Sequence, residues 1–108
     1  METTTSSEQN LTIAKTILDQ MGGTRRLMLM IGAKDFLAIP NGVTFRFAAR
    51  SANSSNAFKV VLDADDTYTI EFLWIRAGKV TVRKELNMVY GSDLQRIFRD
   101  ETKLALSI

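Results

Sequence analysis

Aromatic and basic residues interleave along Thr67–Leu86, TYTIEFLWIRAGKVTVRKEL, the segment best suited to recognition chemistry. Tyr68, Phe72 and Trp74 carry flat faces on which nucleic-acid bases stack, and the surrounding arginines and lysines carry charge for phosphates. The segment reads as one β-hairpin, so its strand register decides whether those rings bind or build a core. A two-residue loop at Ala77-Gly78 needs φ > 0 at Ala77, which alanine resists. A three-residue loop, Arg76-Ala77-Gly78, places only Gly78 in the left-handed region. It pairs Ile75 with Lys79 and turns Trp74, Phe72 and Tyr68 toward Val80, Val82 and Leu86. The other face then carries Glu71, Leu73 and Ile75, with Glu71 opposite Arg83 as a cross-strand pair worth roughly 0.2–1 kcal/mol. In the alternative register Phe72 meets Arg83 and Ile70 meets Glu85. A one-residue slip moves every side chain to the other face, so the two arrangements exclude each other. The three-residue loop is the expectation.

Other chemistry is sparse. The chain has no Cys and no His, which removes disulfides, thiolate metal sites and triads of the Ser/His/Asp or Cys/His kind. The 12 acidic residues are scattered without a convergent pair, and no G-x-S-x-G motif occurs. A non-enzyme is expected, with no cofactor and no metal. Asp63, Asp65 and Asp66 form the one acidic concentration. An EF-hand loop starting at Asp63 would need Gly and Glu where the chain has Tyr68 and Trp74, so a solvated turn is expected. Gly22-Gly23-Thr24-Arg25-Arg26 lacks a nucleotide-loop pattern and reads as a helix end followed by a basic turn.

The elements that must position these residues fit one domain. A chain of 108 residues can bury roughly 60–65% of its unfolded surface. The formal charge of +2 gives no global field, so any basic surface must be local. The N-terminus lacks the pattern of a secretory signal, and no apolar run approaches the ~20 residues of a membrane helix. A cytoplasmic protein without membrane association is expected.

Residues 1–9 read as a flexible tail and 10–108 as a single α+β domain. Asn10 could cap a helix whose Leu11, Ala14, Ile17, Leu18 and Met21 share one face, stopped by Gly22-Gly23. Residues 24–36 could be a buried strand or a short helix ending at Gly32; Leu and Met favour the helix. Asn41-Gly42 marks a hairpin, with Pro40 suggesting an edge strand. Residues 50–56 form a polar loop, expected to be mobile, and Phe58–Asp63 a strand that turns at Ala64-Asp65-Asp66. Ser92 and Gln95 match a capping box for a C-terminal helix with an apolar stripe of Leu94, Ile97, Phe98 and Leu104. Arg96, Arg99 and Lys103 line its opposite side, and Leu104–Ile108 alternates as a short strand would. The expectation is an antiparallel sheet of about five strands, in two or three hairpins, with an N-terminal and a C-terminal helix.

Three segments taken together, Gly32-Ala33-Lys34-Asp35-Phe36, Asp66–Phe72, and Tyr90…Leu94…Phe98…Glu101–Ser107, resemble a group of small proteins of tailed bacteriophages and other mobile elements. The resemblance spans roughly residues 11–108. It implies a bacterial host cytoplasm and an accessory role, and it carries no catalytic residues.

Two functions are expected from these residues. The first is non-catalytic binding of a host or phage protein, such as a host defence, replication or transcription component. It would use Glu71, Leu73, Ile75 and Arg83, or Arg96, Arg99 and Lys103. The second is single-stranded DNA or RNA binding through Arg25, Arg26, Arg46, Lys79, Arg83, Arg96 and Arg99. A homodimer burying Leu73 and Ile75 is compatible with either.

Overall fold

A computed structural model describes residues 2–104, with side chains described for residues 8–104. Helix α1 spans Glu2–Gln20 and thus starts before Asn10. Asn10 does not cap it; its side-chain oxygen accepts the Asn41 N–H at 3.0 Å and ties the helix to a sheet turn. Ala14, Ile17, Leu18 and Met21 are buried along one face, as their spacing predicts. The helix stops at Gly22 and Gly23, both at positive φ, with the Gly23 N–H on the Leu18 carbonyl at 2.8 Å. Thr24–Ile31 form helix α2, the helical alternative for this segment, and Gly32 closes it at φ 66°.

Five strands follow: β1 (Lys34–Ile39), β2 (Gly42–Arg46), β3 (Ala57–Leu62), β4 (Tyr68–Arg76) and β5 (Lys79–Val89). They form one antiparallel sheet in sequence order, with β1 and β5 at the edges. A single 3-10 turn, Gly91–Asp93, leads into helix α3, Leu94–Thr102. This is the expected α+β architecture. Residues 105–108, most of the alternating C-terminal segment, lie outside the described residues.

The first hairpin turns one residue earlier than expected. Ile39 pairs with Gly42, leaving Pro40-Asn41 as the loop. Asn41 takes φ 59°, and proline followed by a left-handed Asn is type II turn chemistry. Gly42 lies inside β2 because a Cβ there would collide with the Val60 carbonyl.

The helices lie against one face of the sheet. Val43, Phe45, Phe58, Val60, Tyr68, Ile70 and Phe72 meet α1, α2 and α3 in one core. Phe98 of α3 is its keystone, with ring centroids 5.5 Å from Phe47, 5.1 Å from Phe58 and 6.0 Å from Phe72. Burying a ring of this kind contributes roughly 1.5–3 kcal/mol. The expected capping box does not form: α3 has no side-chain cap, and the Gln95 amide donates instead to the Gln20 carbonyl at 3.0 Å.

The β4–β5 hairpin departs from its expected register. Arg76 pairs with Lys79, so the loop has two residues, and Ala77 and Gly78 both take positive φ, 51° and 77°. That is a type I′ turn, and the chain accepts the left-handed alanine that argued against it. Trp74 therefore faces Thr81, while Val80 and Val82 pair with Ile75 and Leu73 on the face away from the helices. A bulge then inserts Arg83, so that Phe72 faces Lys84 and Ile70 faces Leu86. Tyr68 and Phe72 are buried as expected, on the β4 face that pairs with Leu62 and Phe58 of β3. Glu71 sits opposite Glu85, not Arg83, and pairs with Lys59 at 4.0 Å.

Candidate nucleic-acid interface

The end of the sheet at Arg46 and Trp74 is closed by residues 47–56, which leave β2 and return to β3. This polar segment is tied down at both ends and at its middle. The Ala48 and Ala49 N–H groups donate to Ile31 at 3.2 and 3.1 Å, docking it on the end of α2. The Ala52 N–H donates to Thr102 at 2.8 Å, docking it on the end of α3. Within it, the Ser51 hydroxyl donates to the Ser55 carbonyl at 2.7 Å and accepts the Ser55 N–H at 2.8 Å. Asn56 then continues the β3 edge. Its N–H donates to Leu73, and its carboxamide both accepts from the Ile75 N–H and donates to the Ile75 carbonyl, each at 2.8 Å. The loop expected to be mobile is thus a bonded wall.

Between this wall and the hairpin lies a cleft of about 750 Å³. Lys34, Arg46, Arg50, Arg76 and Arg83 line it with Trp74, beside Ala48, Ala49 and the wall's serines. Among the described residues no carboxylate lines it. Trp74 is half-buried, and the Arg83 guanidinium lies 5.9 Å from its ring centroid, within cation–π range. Alternation explains the contact, because Thr81 pairs with Trp74 and Arg83, two residues on, shares its face. Among the described residues none of the five cations is in an ion pair; the carboxylate partners go to Lys59, Lys84, Arg96 and Arg99. Like charges gathered without counter-ions attract an anion, and the low-dielectric walls of a cleft strengthen that field.

The residues expected to contact nucleic acid divide. Arg46 and Arg83 line the cleft, and Lys79 pairs with Arg76 at its rim. Arg25 and Arg26 are exposed on the first turn of α2 and do not line it. Arg96 is held by Asp93 at 3.4 Å and Asp100 at 3.6 Å, and Arg99 lies 3.8 Å from Asp100. Lys34, Arg50 and Arg76 were not expected. No local pattern marks them, since they converge only when β1, the wall and the hairpin meet.

The expected protein-binding surface also splits. Leu73 and Ile75 belong to the outer sheet face, where Val80 and Val82 are 60% and 52% exposed. Glu71 shares that face with Lys59. Arg83 leaves it for the cleft, and Arg96, Arg99 and Lys103 ride on α3 in the other layer.

The acidic turn is occupied internally. The Asp65 carboxylate accepts the Thr67 hydroxyl at 2.6 Å and the Thr67 N–H at 3.2 Å, which lowers its pKa below the usual carboxylate value. The Thr69 hydroxyl donates to Asp63 at 2.7 Å. Among the described residues no group of three His, Cys, Asp or Glu side chains is placed to hold a metal ion. Among them, too, no helix is long and apolar enough to cross a membrane.

No family model matches the chain, and neither the curated proteins nor the solved structures compared with it yield a match.

Proposed function

We propose that this protein binds single-stranded nucleic acid in the cleft between the hairpin and residues 47–56. The observation that carries this reading is the convergence of five cations on one half-buried tryptophan, with no ion pair to them and no carboxylate among them in the described residues. Such sites work by two terms. Basic side chains take phosphates by releasing counter-ions, and an aromatic face stacks a base whatever its identity. Trp74 supplies the stacking face, with Arg83 beside it; Arg46, Arg50, Arg76 and Lys34 supply the charge. Duplex fits less well, because its bases are already stacked on one another. Fluorescence anisotropy of a labelled oligonucleotide at two salt concentrations tests the reading. Binding that weakens steeply with salt and is lost in Arg46→Ala/Arg83→Ala supports it. Absence of binding at low salt overturns it.

A second reading rests on the outer face, where Val80 and Val82 lie exposed beside Ile75 and Leu73. Apolar side chains grouped on an uncovered sheet suit a protein contact. That contact would be with a host or phage protein in a bacterial cytoplasm, or with a second copy of the chain. Capture from a nuclease-treated bacterial lysate, compared with Val80→Lys/Val82→Lys, tests it: a band lost in the variant supports the contact, and no band at low salt removes it.

A further inference from the structure

We infer that the cleft takes the phosphorylated end of its ligand, a terminal phosphate monoester with its base on Trp74, rather than the interior of a strand. This rests on the nucleic-acid reading and narrows it. The argument is one of charge against length. A cleft of about 750 Å³ is roughly 9 Å across, which at about 3.4 Å of strand per phosphate spans two or three phosphates. Each internal phosphodiester carries one negative charge, and an unstacked strand is longer per phosphate still. Five cations line the same space, and no carboxylate among the described residues offsets them. An internal segment would leave two or more of those charges close together without a counter-charge. A terminal monoester carries about −1.5 to −2 at pH 7 and three acceptor oxygens, which raises the charge density of the ligand to that of the site. Arginine supplies four of the five cations, and its planar fork binds such a group in bidentate fashion.

The shape agrees with an end. Grooves that track a strand run along a surface for several nucleotides. Here residues 47–56 are bonded to α2 and α3, and Asn56 is bonded to Ile75 of the hairpin, so the wall and the hairpin join where β3 begins. The ligand chemistry, a nucleotide bearing a terminal phosphate, has two sources: the end of an oligonucleotide or a free nucleotide.

The test compares one short oligonucleotide in four forms: 5′-phosphate, 5′-hydroxyl, 3′-phosphate and 3′-hydroxyl. Binding of one phosphorylated form at least 10-fold tighter than its hydroxyl twin is expected. Arg50→Gln should shrink that preference to under about 3-fold, while Arg25→Gln, outside the cleft, should leave it intact. Both positions are exposed, so neither change threatens the fold. Equal, salt-sensitive binding of all four forms overturns the end preference and leaves the nucleic-acid reading standing. No binding of any form overturns both. Thymidine mono- and triphosphate as competitors separate the sources. Displacement of the oligonucleotide at micromolar concentration assigns the site to free nucleotides, and no displacement assigns it to strand ends.

Discussion

The Arg83 guanidinium stands 5.9 Å from the centre of the Trp74 ring because strand alternation puts it on the face of Thr81, which pairs with Trp74. The bulge at Arg83 then shifts the alternation of β5, so that Lys84 and Leu86 pair with Phe72 and Ile70. Base stacking on an aromatic ring contributes about 1–3 kcal/mol. Trp74→Ala should therefore weaken oligonucleotide binding by about 5- to 150-fold. Isothermal titration checks this, and a loss below 2-fold would remove Trp74 from the site.

Salt dependence separates the cleft cations from the others. Each phosphate neutralised on a single strand contributes about −0.7 to the slope of log K against log salt. Arg83→Ala or Arg46→Ala should flatten the slope by about that amount. Arg96→Ala should not, because Arg96 is already held by Asp93 and Asp100.

The hairpin turn offers a stability test that leaves the cleft untouched. Ala77 holds φ 51°, a conformation that costs a residue with a Cβ roughly 1–2 kcal/mol. Ala77→Gly relieves it at some cost in chain entropy, for a net gain of about 0.5–1 kcal/mol. Thermal unfolding should then show a Tm higher by about 2–8 °C. A lower Tm would contradict the type I′ turn.

Asn56 acts as a piece of backbone toward Ile75. Asn56→Ala deletes two hydrogen bonds, each worth about 0.5–1.5 kcal/mol, and releases the wall from the hairpin. Chemical denaturation should show a loss of about 1–3 kcal/mol, and hydrogen exchange at the Ile75 amide should rise. Unchanged exchange would contradict the bond.

Tyr68 gives a pH signature. Burial raises its pKa above 10.0, and the protonated phenol donates a hydrogen bond to the Gln20 side chain at 2.8 Å. The unfolded chain loses the phenol proton first as pH rises. The Tyr68 contribution is therefore fully present below about pH 10 and lost as pH climbs through the raised folded value. Tyr68→Phe should flatten the fall in Tm above pH 10, and an unchanged fall would assign it elsewhere.

Much of the architecture was legible because its signals are local. The stripe of Ala14, Ile17, Leu18 and Met21 and the stop at Gly32 each depend on one helix and its end. Register was not, because it depends on a balance no single segment reveals. The two-residue turn places Ala77 at φ 51°, and the bulge at Arg83 then resets which residues of β5 face the core. The missed cap at Ser92 has a similar origin: Gln95 has a tertiary partner in Gln20. The cleft was half visible. Arg46 and Arg83 stood out as basic residues on strands, whereas Lys34, Arg50 and Arg76 acquire meaning only from the meeting of distant segments.

The most direct measurement is the emission of Trp74, the one tryptophan in the chain, during titration with a short phosphorylated oligonucleotide. Stacking of a base on the ring predicts saturable quenching, with a midpoint matching the anisotropy titration and reduced access to acrylamide in the complex. Oligonucleotide binding that leaves Trp74 emission and acrylamide access unchanged would contradict the cleft as the site.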